Sequence, residues 1–245
     1  MNRFLVEKIN LTEKYVILND PEQLHHFRDV LRIRPSEEVA VFDHSGNEYL
    51  AVVLEVGLDR AKLRISQKRA ANHPSVEITV ACAIPKNVKM DEIIDKLTQL
   101  GVVRIIPLQT ERVVVRLDKQ KKLQRFQRWE KIALSAVKQS QRSRLLELEP
   151  ISEFDQVVKN AMDFDLKLIP TLGEERKTLK EIFSQTDQLF RKIMILIGPE
   201  GDFTPREVSL AKLSGFLPVS LGKQVLRVDT AAIAAVSFIK LNAQD

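Results

Sequence analysis

Apolar and polar positions follow two different patterns along this chain, and the change falls near residue 75. Before it the apolar stretches are short. Residues 15–18, 38–42, 48–56 and 61–65 read as strands, 21–31 as a short helix, and Asp43-His-Ser-Gly-Asn47 as a turn cluster. These elements predict a compact β-barrel domain over residues 1–70, followed by a polar linker at 67–74. After it, strand and helix patterns alternate. Residues 76–84 form a continuous apolar strand; 90–100 place Ile93, Ile94, Leu97 and Leu100 on one helical face; Gly101 ends that helix and 102–106 is the next strand. A longer helix is predicted at 123–139 with the stripe Phe126, Trp129, Ile132, Ala133, Ala136 and Val137. Strands at 166–170, 193–197 and 217–221 and a final helix at 230–241 complete an α/β domain over 75–245. That last helix is apolar nearly all round, so it must be buried in the domain or against a second subunit.

The candidate chemistry lies late in the chain. The apolar run 193–197 breaks into Gly198-Pro-Glu-Gly-Asp202, and Thr204-Pro205-Arg206-Glu207 then offers a hydroxyl N-cap, a first-turn proline and a glutamate at the third helical position. The loop at 198–203 therefore sits at the carboxyl end of a strand, where open α/β sheets bind ligands. Thr171-Leu-Gly173 and the segment from Leu221-Gly222 to Leu226 have the same make-up of glycine, small and aliphatic residues. Such loops expose backbone N–H and C=O groups and let a flat ring come close. Neither G-x-G-x-x-G nor G-K-[ST] occurs, which weighs against nicotinamide and ATP chemistry. The four histidines, His25, His26, His44 and His73, all precede the α/β half, so no Ser-His-Asp or Cys-His arrangement can be built within it. The single cysteine, Cys82, reads as a small buried hydrophobe; one cysteine and an adjacent histidine pair do not make a zinc set, and no metal is expected.

At 245 residues and 44% hydrophobic content the chain can build a core of its own. It has no run of eighteen apolar residues, and Met1-Asn2-Arg3-Phe4 does not open a signal peptide, so the expectation is a cytoplasmic protein with no membrane partner. A net charge of +5 says little until its distribution is seen. From Arg112 to Arg144 there are eleven lysines and arginines against Asp118 and Glu130 alone. Arg125, Arg128, Lys131, Lys138 and Arg142 project beside the apolar stripe of the predicted helix, a field suited to nucleic acid or else a solvated helix face.

Spacing gives these loops a family. Leu221-Gly-x-x-Val-Leu-Arg-x-Asp-Thr-Ala231, twenty residues after Gly-Pro-Glu-Gly201, resembles the SPOUT class of RNA methyltransferases, and within it the ribosomal RNA small subunit methyltransferase E family. The resemblance extends to His25-His-Phe-Arg-Asp-Val-Leu-Arg32, Lys96-Leu-Thr-Gln-Leu-Gly101 with Pro107, and Gln139-Ser-Gln-Arg142 with Arg144. It departs at Gln99, where the family usually has Glu, at Lys138, again for Glu, and at Asp229, one methylene shorter than the family's Glu. The resemblance implies an α/β domain with a C-terminal trefoil knot behind a PUA-like RNA-binding barrel, a homodimer, S-adenosyl-L-methionine as cofactor, and methylation of uridine N3 in 16S ribosomal RNA of the small subunit. It implies cofactor contacts at Thr171, Leu172, Gly173, Ile197, Gly198, Pro199, Gly201, Leu221, Gly222, Val225, Leu226, Thr230 and Ala231, and RNA contacts at Arg3, Arg28, Arg32, Lys86 and Arg144, to which the basic helix face adds Arg125 and Arg128. Uracil N3 must lose a proton, so an arginine facing the base oxygens would help; Arg227 is the first candidate, then Arg142, with Glu200 or Asp229 as proton acceptor. An ion pair with Asp229, or a place at a helix end, is the other reading of Arg227. A SPOUT ribose 2′-O-methyltransferase and a non-catalytic RNA-binding assembly protein are the alternative functions.

Overall fold

The computed structural model of the chain describes residues 1–6, 9–10, 14–43, 47–69, 74–85, 89–113, 118–140, 142, 144–173, 176–185 and 190–242. The expected turn at 44–46, the linker at 70–73, Lys86 and Gln141 lie outside the described residues. The chain divides into two compact units: Met1–His73 with Val137–Leu145, and Pro74–Ala136 with Leu146–Asp245.

The first unit holds β1 (Arg3–Leu5), β2 (Ile9–Asn10), β3 (Tyr15–Leu18), α1 (Pro21–His25), β4 (Glu38–Phe42), β5 (Glu48–Val56) and β6 (Ala61–Arg69). Its sheet runs β1-β4-β5-β6-β3-β2, with β1 parallel to β4 and the other pairs antiparallel. Among the described residues this path is open, with no ladder joining its two ends. Asp20 caps α1 through the Gln23 N–H, and the helix passes into a single π-helical turn, His26–Val30, that buries Phe27 against Phe4 with ring centroids 4.8 Å apart. β6 runs four residues past its predicted end, because the β5 pairing continues to Glu48↔Arg69 after a bulge near Leu50 and Ala51. That ladder carries a buried charge. Glu48 receives Arg3 at 2.6 Å and Arg69 at 3.1 Å, and the Arg3 guanidinium lies over the Phe42 ring.

In the second unit the chain runs through β7 (Glu77–Ala83), α2 (Lys89–Gln99), β8 (Arg104–Gln109), α3 (Lys119–Gln139), β9 (Glu147–Leu148), β10 (Ser152–Glu153), α4 (Phe154–Lys159), β11 (Leu166–Pro170), β12 (Lys177–Thr178), α5 (Leu179–Ser184), β13 (Lys192–Ile197), α6 (Pro205–Leu213), β14 (Leu217–Ser220) and α7 (Val228–Asn242). The sheet is parallel throughout, in the order β10-β8-β7-β13-β11-β14-β12, with β9 also on β8. Both faces are covered, which is why β7 and β13 read as unbroken apolar runs rather than alternating ones. Val80, Cys82, Ile193 and Ile195 pack with α2 and α7, while Ala81, Met194 and Leu196 pack with α4, α6, Phe203 and Phe216. α7 docks on α2, β7 and β13, and the Lys240 ammonium donates to the Leu100 carbonyl at 2.7 Å. Since β11 and β13 lie between β14 and β7, the chain leaving β14 has to return across two strands to reach that place. Among the described residues no helix is long and apolar enough to cross a membrane.

Candidate functional site

The loops after β11, β13 and β14 follow three strands that are neighbours in the sheet, so parallel order alone brings 171–173, 198–204 and 221–227 to one edge. They line a half-open cavity with about 590 Å³ of empty space, part of it continuous with solvent. Of the residues expected from the sequence to hold a cofactor, Thr171, Leu172, Ile197, Gly198, Pro199, Leu221, Gly222, Val225, Leu226 and Ala231 line it, as does Glu200. Gly173, Gly201 and Thr230 are near it in sequence but outside its wall; the Gly201 carbonyl instead accepts from the Arg112 guanidinium. Pro170, Arg176, Asp202, Gln224 and Val228 also line the cavity, and no motif in the sequence marks them.

Local chemistry explains the shape. Thr204 and Glu207 form a reciprocal capping box at the start of α6, with Pro205 in its first turn, and this ends the 198–203 loop where the sequence places it. Glu207 is buried and also accepts the Glu111 N–H at 2.9 Å. At Gly198 an added Cβ would stand 3.0 Å from the Phe203 ring, and Gly222 has φ +124°, so neither position accommodates a side chain without strain. Asp202, at φ +59°, accepts hydrogen bonds from Thr171 Oγ1, the Leu172 N–H and the Phe203 N–H. Arg176 donates to the Thr171 carbonyl at 2.6 Å.

Charge inside the site is mostly acidic. Burial pushes the Cys82 thiol far above its ordinary range, and the nearby Glu200 and Asp229 carboxylates push it further. Asp229, in the first turn of α7, keeps Oδ1 buried and, among the described residues, without a hydrogen-bond partner. Arg227 is exposed between the lining residues Leu226 and Val228, and its carbonyl accepts the Ala231 N–H at 2.8 Å. Among the described residues it makes no ion pair with Asp229. The donor set suits a flat heteroaromatic nucleoside carrying positive charge. Glycine and aliphatic walls accept the ring, and the Glu200 carboxylate in the wall favours cationic or N–H groups.

Several of the basic residues already face carboxylates. Arg3 is mostly buried on Glu48. Arg28 is bound to Asp29 and to the Leu58 carbonyl, and the hydrogen bond from Arg28, aided by His25, holds the Asp29 carboxyl at about 2. Arg128 pairs with Asp91 at 2.6 Å, the same carboxylate that accepts Trp129 Nε1. Arg32 is exposed, and Arg125 is half-exposed on α3. Arg142 and Arg144 belong to the first unit; burial, with Arg144 beside it, brings the Arg142 guanidinium down to about 10, still protonated at neutral pH.

Residues 72–240 match the family model of an RNA methyltransferase domain, and 18–66 that of an RNA methyltransferase PUA domain. The ribosomal RNA small subunit methyltransferase E of Mesomycoplasma hyopneumoniae is 31% identical over 95% of this chain and 96% of its own length; that of Bacillus subtilis is 28% identical over 98% and 96%. The crystal structure of the Neisseria gonorrhoeae enzyme of that name, bound to S-adenosyl methionine, superposes with a TM-score of 0.84 at 28% identity, covering 98% of this chain and 97% of that one. With its two family models in order along the sequence and full-length relatives of one kind, the chain belongs to the ribosomal RNA small subunit methyltransferase E family.

Proposed function

We propose that the protein methylates N3 of a uridine in small-subunit (16S) ribosomal RNA, using S-adenosylmethionine, as a cytoplasmic homodimer. The single observation that carries this reading is the cavity walled by three adjacent post-strand loops, in a chain that matches a relative solved with S-adenosyl methionine bound. Residues 1–70 serve as the PUA-like RNA-binding domain and 75–245 as the methyltransferase domain. A trefoil knot accounts for the return of the chain from β14 across β11 and β13 to α2. The exposed Ala234 and Leu241 and partly exposed Ile233 and Phe238 of α7 are offered to the second protomer.

S-adenosylmethionine supplies a sulfonium-bound methyl group for in-line transfer, and much of the acceleration comes from positioning. Thr171, Leu172, Gly198, Pro199, Leu221, Gly222, Leu226 and Ala231 hold it through backbone groups and apolar contact. Gly173, Gly201 and Val225 shape the same loops, and Thr230 opens α7 beside them. Glu200 or Asp229 takes the uracil N3 proton, and Arg227 faces the base oxygens on which negative charge collects. The experiment is tritiated-methyl transfer from S-adenosylmethionine to small subunits of cells lacking this protein, followed by nucleoside analysis. Label on the N3 of uridine is the expected product; label on a ribose 2′-oxygen, or none, rejects the reading.

RNA affinity should fall with salt, with a log-log slope of about −0.7 for each phosphate neutralised on a single strand. Arg125→Ala is expected to flatten that slope by one contact, whereas Arg128→Ala, whose cation already faces Asp91, changes it less. Filter binding over a potassium chloride series measures both. A slope near zero would mean that the cationic face of α3 is only solvated.

A further inference from the structure

Asp202 stands where backbone geometry does not favour a side chain. Its φ of +59° is the left-handed region, which aspartate tolerates better than most residues but which persists only when the surroundings hold it. Those surroundings are specific. The Asp202 N–H donates to the Pro199 carbonyl at 3.0 Å, closing the Gly198-Pro-Glu-Gly201 loop on itself. One carboxylate oxygen accepts the Phe203 N–H at 2.8 Å; the other accepts the Leu172 N–H at 2.9 Å and Thr171 Oγ1 at 3.1 Å. Asp202 follows β13 and Thr171 follows β11, so this one side chain ties together two loops thirty residues apart in sequence. All of Thr171, Leu172, Pro199 and Asp202 line the same cavity.

We propose that Asp202 is a positioning residue, a carboxylate clasp that sets the spacing of the β11 and β13 loops and so shapes the cavity for the S-adenosyl donor. The identity of that ligand rests on the proposed function; the clasp itself is a property of the free chain. The chemistry selects aspartate. Glycine would adopt the same φ with less strain but offers no acceptor. Asparagine keeps one acceptor oxygen and turns the other into a donor facing N–H or O–H groups. Backbone preference and clasp can therefore be separated by substitution.

The test uses the full chain carrying Asp202→Gly, Asp202→Asn or Thr171→Val, and reads two quantities: the dissociation constant for S-adenosylmethionine by calorimetry, and hydrogen exchange of the Leu172 amide in protein without ligand. Asp202→Gly should weaken donor binding by about tenfold or more and speed Leu172 exchange, with kcat at saturating donor largely kept and the rise confined to KM. Asp202→Asn should fall between it and the parent. Thr171→Val should weaken binding less, and its effect should shrink when Asp202 is already glycine, since both remove one linkage. Donor binding by Asp202→Gly as tight as the parent's, or unchanged Leu172 exchange, overturns the clasp. A parent protein that binds no donor overturns the proposed function instead, and Leu172 exchange still decides the clasp.

Discussion

Arg227→Ala is expected to slow methyl transfer by about a thousandfold while leaving the dissociation constant for S-adenosylmethionine little changed. The size follows from the value of one preorganised donor at a developing oxyanion, about 3 to 4 kcal/mol. In the proposed reaction, loss of the N3 proton spreads negative charge over both uracil oxygens, and a planar fork of N–H donors matches that edge better than a point charge does. Arg227 is available for the task. Its guanidinium is exposed and, among the described residues, makes no ion pair, while its backbone is fixed by the Ala231 N–H at the start of α7 and flanked by two lining residues. Arg227→Lys should recover part of the rate, because charge remains and the fork is lost. Single-turnover transfer of a tritiated methyl group, set beside calorimetry of donor binding, separates the two effects. Turnover at the parent's rate would remove Arg227 from the mechanism.

The second large effect concerns stability. Glu48→Ala should destabilise the first unit by about 3 to 5 kcal/mol, the usual cost of removing one partner from a buried ion pair. Glu48 is 6% exposed and faces Arg3, whose side chain is itself only 15% exposed. Without that carboxylate the Arg3 guanidinium loses a counter-charge 2.6 Å away in a place with little water. Arg69→Ala should cost far less, about 1 kcal/mol or below, since that side chain is 43% exposed and water can replace it. Urea unfolding followed by circular dichroism measures both variants. A Glu48→Ala shift as small as that of Arg69→Ala would mean that Arg3 finds equal solvation elsewhere.

Periodicity located the long elements well, because α2, α3, α7 and the strands of the second sheet bury whole faces and so repeat their pattern over many residues. The six-residue helices α4 and α5 went unseen; neither is long enough to complete a second turn's repeat. At the site, Thr204-Pro205 and Glu207 announced the capping box in one-letter spacing, and the glycine loops marked most of the wall. Asp202, Arg176 and Gln224 did not announce themselves. Asp202 matters through a positive φ and through partners thirty residues away, and neither leaves a local pattern. Charge was the least reliable guide, since Arg3, Arg28 and Arg128 count as free cations in the sequence yet each faces a carboxylate in the fold.

The second sheet ends on β10 and β12, each two residues long and built of Ser-Glu and Lys-Thr. A parallel sheet with apolar interior strands is a template for further pairing wherever a long flat margin is left open. Here the margins are stubs carrying polar and charged side chains, too short for a foreign strand to zip onto. Among the described residues, the second sheet therefore offers a foreign strand little to pair with at either border.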